Sequence, residues 1–478
     1  MALAFLVVAP AVLGLAALAI RSVRVGLAIL LGVAAAHLLT VASLWAGAAE
    51  PGPNALLRID VMGLLFLSIT SLLFLAASVY TVPYLLQGTH DPQAAPRRFV
   101  PCLLWFLAAM TLVTATQNLA LMWAAVEGTT LASAPLVYFY KRRGALEATW
   151  KYLLLCSVGI ALALLGTFFL GIAASGSAGS GAGLTLSALM QAAPSMAKPW
   201  LKAAFVLALV GYGTKMGLAP LHTWLPDTHS QAPSPVSALL SGALLNCAFL
   251  AILRFHQVCL ASGDFAFAQT LLVLLGFVSM GVACAFLIGQ SDYKRLFAYS
   301  SIENMGIMAI GVGLGGAASY GAMFHAVNHS LCKAGLFFLA GNVLRSYGTT
   351  SAREVRGIFR RIPFTGILMT ALLLAIGGAP PFGPFWSEFL IFQTAMRGPH
   401  AWLGILFFAL LAVAFLGMAA VVFPMLQGTS GEPGTRGRDP ALSVVTPMAM
   451  ACGVLVLGIL IPPFLSDALA RAASALGG

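Results

Sequence analysis

The sequence predicts an all-α polytopic membrane protein of about 14 transmembrane helices, arranged as two inverted five-helix repeats that contain broken helices. Three observations lead there. Sixty per cent of the 478 residues are hydrophobic and only 8% are charged, against roughly 25% charged in soluble domains. Apolar runs of about 20 residues recur, among them Val25–Gly47, Leu153–Ala174, Leu271–Gly289 and Ala401–Val422, each long enough to cross roughly 30 Å of hydrocarbon as a helix. Two spans, five apart in order, are broken by proline. A barrel would alternate in short segments instead.

In chain order, the spans centre near residues 11, 36, 72, 107, 128, 163, 209, 244, 277, 306, 331, 374, 413 and 455. The first lacks a basic leading region and is expected to stay in the protein as a span. Helices one to three form an N-terminal unit, residues 1–98, and helices four to eight the first repeat, 99–258. Helices nine to thirteen form the second repeat, 265–427, and a loop with the last helix occupies 428–478. Loops are short except for the Gly/Ser/Ala-rich Ser175–Lys198, the basic Ser351–Arg361 and Gln427–Pro440. The first of these reads as a flexible connector and the last as a polar loop.

The repeat rests on paired features. Pro220 and Pro226 interrupt the seventh span, within Gly213–Pro233, and Gly377-Gly-Ala-Pro-Pro-Phe-Gly-Pro-Phe-Trp-Ser-Glu388 interrupts the twelfth. Corresponding breaks in two halves of a transporter mark an internal repeat with its site at the broken helices, where irregular backbone is tolerated because protein or a water-filled cavity satisfies it. Glu127 on the fifth span precedes Lys215 by 88 residues, and Glu303 on the tenth precedes Glu388 by 85. A unit with an odd number of spans reverses its direction across the membrane, so the two units are expected to be inverted.

The net charge of +11 is a topology signal. Along 14 spans, odd-numbered loops carry seventeen basic residues, including Arg97, Arg98, Lys151, Arg295, Arg436 and Arg438, and the other side carries six. This positive-inside bias places both termini on the periplasmic side of a cell inner (plasma) membrane. It argues against a nucleic-acid partner. The seven cysteines are scattered without a C-x-x-C pair or a ligand cluster and read as small core hydrophobes. No dinucleotide fingerprint, P-loop or nucleophile elbow is present, so no cofactor is expected and energy must come from elsewhere.

Five charges fall inside hydrophobic spans: Glu127, Glu303, Glu388, Lys215 and Lys333. Each costs at least about 2.5–3.5 kcal/mol at a span centre, so an intramembrane charge is a candidate functional group unless a structural pair holds it. Glu127 is followed by Gly-Thr-Thr-Leu-Ala-Ser-Ala, small and hydroxyl residues that let water or a partner approach. His325, His329 and Lys333 stand at i, i+4 and i+8, a helical stripe about 80° wide with one titratable group per turn. A metal pair would need further ligands that are not evident, and a haem pair would need histidines on facing helices. A proton relay suits the spacing. His222, Asp227 and His229 lie by the first break and join the list, whereas His37, His90, His256 and His400 read as lone span-end or loop histidines.

Three stretches carry a resemblance. Lys215-Met-Gly-Leu-Ala-Pro-Leu-His-Thr-Trp-Leu-Pro-Asp-Thr-His-Ser-Gln-Ala-Pro233, Gln290-Ser-Asp-Tyr-Lys-Arg-Leu-Phe-Ala-Tyr-Ser-Ser-Ile-Glu-Asn-Met-Gly306 and His325–Gly335 resemble signatures of the antiporter-like subunits of respiratory complex I and membrane-bound hydrogenases. The variants Ser300–Gly306 and Pro233–Asn246 look most like the hydrogenase-4 component F type. The resemblance runs from about the third span to the fourteenth. It implies a 14-helix subunit that moves protons while a separate redox module supplies energy, with other membrane subunits of a hydrogenase or complex I-like assembly as partners. By that resemblance the fifth-helix acid is Glu127 and the seventh-helix lysine is Lys215. The eleventh-helix relay is His325, His329 and Lys333, and the terminal group is Glu388. One position departs: an eighth-helix lysine found in many members falls on Asn246, whose amide binds water but holds no proton at neutral pH. The chain ends soon after the fourteenth span, at Gly478, so it is expected to lack the long lateral helix of one complex I subunit type. Two other readings use the same residues: a sodium/proton antiporter subunit without redox coupling, and a scaffold with an impaired channel. A quinone-binding enzyme fits least, since no catalytic constellation is evident.

Overall fold

Apolar runs of this length close their backbone hydrogen bonds within themselves only as helices, and helices are what form. The computed structural model describes residues 2–47, 56–86, 96–175, 183–428 and 439–477. Among these, no strand forms beyond three isolated bridges. His90, Arg436 and Arg438 lie outside the described residues, as do the Arg97 side chain, residues 176–182 of the expected connector and residues 429–438 of the expected polar loop.

Helices α1 (Ala2–Ala19), α2 (Val23–Trp45) and α3 (Val61–Leu86) open the chain. Next come α4 (Pro96–Ala115), α5 (Leu119–Val137), α6 (Arg143–Ser175), the short α7 (Leu186–Ala192), α8 (Lys198–Met216) and α9 (Trp224–Gln231). Helices α10 (Ser234–Leu239) and α11 (Leu245–Ala261) are joined by a π-helical segment, Leu240–Leu244. The remainder are α12 (Phe265–Leu287), α13 (Tyr293–Leu314), α14 (Ala317–Tyr347), α15 (Ile358–Arg361), α16 (Pro363–Ile376), α17 (Gly383–Arg397), α18 (Trp402–Leu426), α19 (Ala441–Ile459) and α20 (Pro463–Ser474). Side chains that accept from a backbone N–H in the first turn set several starts: Asn118 from Leu121 at 3.0 Å and Asp292 from Arg295 at 2.9 Å, both N-caps.

Ten helical stretches among the described residues are long and apolar enough to cross a membrane: α1 to α6, α10 through α11, α12, α18 and α19. Every one of the expected span centres falls in a helix. Those outside the ten are α8, α13 and α14, which carry polar and charged residues, and α16, which is a 14-residue half-helix.

Helices that follow one another in the chain pack on one another. In the first half α4 packs on α5, α5 on α6, α6 on α8 and α8 on α11; in the second α12 packs on α13, α13 on α14, α14 on α16 and α17, and α17 on α18. Close approach in each half depends on facing glycines: a Cβ on Gly211 of α8 would lie 2.5 Å from the Gly159 carbonyl of α6, and one on Gly306 of α13 would lie 2.6 Å from that of Gly276 on α12. Small residues are how membrane helices bring backbones together. Residues 234–259 are buried throughout, with α10 against both α14 and α3.

Both proline breaks form. Gly217, at φ +86°, ends α8 by donating its N–H to the Gly213 and Thr214 carbonyls, a glycine cap in the left-handed region. The Trp224 indole donates to the Thr214 carbonyl at 2.8 Å, and the Ala219 N–H donates to Ser279 Oγ at 2.9 Å. In the second half α16 ends before Gly378 (φ +72°), and the Trp386 indole donates to the Gly458 carbonyl of α19 at 2.8 Å. Each break contains one cis X-Pro bond, at Pro220 and Pro381. The sequence reading did not anticipate α20, whose Ser466 hydroxyl lies 3.3 Å from that of Tyr320 on α14.

Candidate functional site

Lys215 occupies the last turn of α8, where the negative end of the helix dipole favours a cation. It has no exposed surface. Its Nζ donates to Thr130 Oγ1 on α5 and to the Tyr152 hydroxyl on α6, both at 2.7 Å, and lies 4.5 Å from the Tyr152 ring centroid. Thr130 donates to Glu127 Oε2 at 3.3 Å, and Ser157 on α6 donates to Oε1 at 3.0 Å. The Tyr152 hydroxyl is 2.7 Å from Ser133 Oγ, which donates to the Thr129 carbonyl. Glu127 is half-buried. Glu127 and Lys215, the fifth-helix acid and seventh-helix lysine of the resemblance, thus come to one cluster. They are joined through the Thr130 hydroxyl, not as a direct ion pair.

The second cluster sits on α13, α14 and α17. His325, His329 and Lys333 share one stripe of α14 and have no exposed surface, and the two imidazoles stack with centroids 6.4 Å apart. His325 Nε2 is 2.9 Å from Asn304 Oδ1 of α13 and Nδ1 is 2.9 Å from Ser387 Oγ of α17. Neither nitrogen of His329 has a well-aligned partner, although the Ser241 carbonyl lies close. Lys333 Nζ donates to the Phe297 carbonyl at 3.1 Å. Glu303 accepts from Ser300 Oγ and Asn304 Nδ2, each at 3.5 Å. Glu388 turns back to lie against the Cα of Gly378 across the second break, and its Oε1 has no protein partner.

Between the clusters stands Asn246, which donates Nδ2 to the Gly242 carbonyl at 2.9 Å and to Ser330 Oγ of α14 at 2.7 Å. Its Oδ1 is buried without a protein partner. The π-helical segment passes here, and Ser241 and Ser301 hydroxyls meet at 2.8 Å. Such π-bulges occur often at functional sites. His229 is fully buried and stacks on Phe337 with centroids 5.0 Å apart.

Other candidates sit elsewhere. Asp227 pairs with Lys151 at 3.0 Å and Arg295 at 3.1 Å in a partly exposed network that also holds Glu147. His222, buried in the first break, keeps Nδ1 unpartnered. His37 is not a span-end residue: it is buried in the middle of α2 and bonded by Ser71 at 2.9 Å and Thr111 at 3.0 Å, while His256 is buried toward the end of α11. No group of three or more His, Cys, Asp or Glu side chains among the described residues is placed to hold a metal ion. Sequence reasoning missed Tyr152, Asn304 and Ser387. It noted Thr130 only as a small polar neighbour, although its place one turn beyond Glu127 was a usable signal.

The pattern of the NADH:quinone oxidoreductase/Mrp antiporter transmembrane family matches residues 116–415. The hydrogenase-4 component F homolog of Methylacidiphilum infernorum is 36% identical over 420 residues, covering 86% of this chain and 87% of that protein. NADH-quinone oxidoreductase subunit N of Desulforudis audaxviator is 32% identical over 400 residues, 80% of this chain and 76% of that one. Among solved structures, a chain of an archaeal membrane-bound sulfane sulfur reductase superposes with a TM-score of 0.88 over 99% of this chain and 97% of its own, at 22% identity.

Proposed function

Because this chain belongs to the NADH:quinone oxidoreductase/Mrp antiporter transmembrane family, we propose that it is a non-redox, proton-translocating subunit of a redox-driven membrane complex of the hydrogenase or complex I type. One observation carries the reading: a wholly buried lysine is tied through a single hydroxyl to a half-buried carboxylate at the bundle's edge. Unpaired buried charges are too costly to keep without a use. Movement of a neighbouring subunit at Glu127 changes its separation from Lys215. At an effective dielectric near 20 a unit-charge pair at about 4 Å is worth roughly 4 kcal/mol, or about three pH units of proton affinity. The lysine therefore gives up its proton when the acid withdraws.

The proton moves through water past Asn246 to His329, His325 and Lys333, and leaves by Glu388. His222 and His229 flank the entry and Glu303 balances Lys333. The set titrates as one coupled system. In this reading the fourteen helical stretches all cross, both termini are periplasmic, and residues 99–258 and 265–427 are inverted repeats. The parallel packing of α4 to α11 and α12 to α18 supports the repeat.

Lys215→Ala is expected to abolish proton uptake by inverted membrane vesicles energised with hydrogen or NADH, and unchanged uptake would sink the assignment. The family description also spans Mrp antiporters. Sodium-dependent transport without any redox donor would favour the sodium/proton alternative.

A further inference from the structure

Around His325 the hydrogen bonds admit only two proton arrangements. Asn304 Nδ2 donates to the Ser300 carbonyl at 2.7 Å, which turns its Oδ1 toward His325 Nε2 at 2.9 Å. An amide oxygen only accepts, so Nε2 carries a proton whatever the charge on the ring. Nδ1 lies 2.9 Å from Ser387 Oγ, and that same hydroxyl lies 2.8 Å from the Pro384 carbonyl. A hydroxyl has one proton to give. When the imidazole is neutral, Nδ1 accepts it. When the imidazole gains a second proton, Nδ1–H becomes the donor, and the hydroxyl must turn its own proton to Pro384.

Resting on the reading that His325 receives protons, we propose that Ser387 is a positioning residue that reports the charge of His325 to α17, the half-helix that carries Glu388. Pro384 lies in the first turn of α17, and an α-helix pairs its carbonyl with the N–H four residues on, that of Glu388. Charging His325 therefore adds a second donor to the carbonyl that anchors the Glu388 peptide, and discharging it takes that donor away. Glu388 itself rests on Gly378 across the break, so a small change in its backbone is felt where the two half-helices meet. No proton crosses Ser387. It keeps its own and only reorients, while the proton gained by His325 stays on Nδ1 until the relay withdraws it.

The test uses the full chain in vesicles from a host that assembles its complex, energised with hydrogen or NADH and labelled with 15N-histidine. Ser387→Ala is expected to slow proton uptake about tenfold or more, the size of one lost hydrogen bond to a charged group. It should also shift the His325 Nδ1 resonance, assigned by its loss in His325→Gln, and leave Nε2 in place. Ser387→Thr keeps a hydroxyl and should restore both. Wild-type uptake and an unshifted Nδ1 in Ser387→Ala, where Lys215→Ala abolishes uptake, would overturn the Ser387 assignment alone. Wild-type uptake in both variants would overturn the proton-carrying reading beneath it. Loss of uptake in a folded Ser387→Thr chain would also overturn the proposal. If Ser387→Ala does not insert, Ser387→Cys, a weaker donor, makes the same comparison.

Discussion

A lysine with no surface of its own needs acceptors, and Thr130 and Tyr152 are the two that Lys215 has. Thr130 does more, because it accepts from Lys215 and donates its own proton to Glu127, and so links the two charges. Thr130→Val preserves shape and removes that link, so proton uptake should fall about tenfold, whereas Thr130→Ser should retain most of it. Gly378 has a comparable role in the second half. Its φ of +72° disfavours any side chain, and an added Cβ would strike the Glu388 carboxylate. Gly378→Ala should therefore reduce transport more than it reduces the amount of folded protein in the membrane. The charged groups of the site were legible in the sequence because a charge in an apolar run is conspicuous wherever it points. Tyr152, Asn304 and Ser387 were not, since hydroxyls and amides are common in spans and their meaning depends on which helix they face. Asn246 was legible as an oddity, but its bond to Ser330, 84 residues on, was not.

At the scale of the element, span positions followed from hydropathy alone, because an apolar run of this length has no alternative in lipid. The proline breaks were legible for the same reason: Pro lacks the N–H that an intact helix requires. Short pieces escaped. α7 and α20 are too brief for a span signal, and the π-helical segment Leu240–Leu244 leaves no mark on an apolar sequence. The close helix pairs were also invisible, since most of the 49 glycines look alike in sequence. Two of them on α12 separate cleanly in the structure. A Cβ on Gly276 would come within 2.6 Å of Ile310, whereas one on Gly281 would meet nothing within 4 Å. Gly276→Leu should lower the melting temperature of the purified protein in detergent by several degrees, and Gly281→Leu should leave it near wild type. Equal effects would show that the α12–α13 contact does not hold the second half together.

The whole molecule is fastened at one end by Asp60, just ahead of α3, and Arg254 of α11, whose guanidinium donates to both carboxylate oxygens at 2.6 Å. Gln257 joins Arg254 at 3.1 Å and reaches the Ala475 carbonyl beyond α20 at 3.4 Å. Burial pushes the Asp60 carboxyl up, but the charge and hydrogen bonds of Arg254, with the Gly63 N–H, together outweigh it and hold the group below its ordinary value of 3.8. A carboxyl lowered on folding stabilises the protein fully above its unfolded value and loses that contribution as pH falls through the folded one. Melting temperature should therefore drop as pH falls below about 4, and Asp60→Asn should be less stable near neutrality and should lose that part of the acid sensitivity.

A different kind of fastening governs how the chain is made. α9, directly after the first break, is held by residues that come much later. Asp227 binds Arg295, Lys294 Nζ donates to the Ser230 and Ala232 carbonyls at 3.2 and 2.6 Å, and the Ala219 N–H needs Ser279. From Lys215 to Arg295 is 80 residues. At roughly 5–20 residues per second of synthesis, the ribosome delivers the last of these partners, Arg295, about 4–16 s after Lys215. Until those residues are translated, the first break lacks the partners that close it in the folded chain.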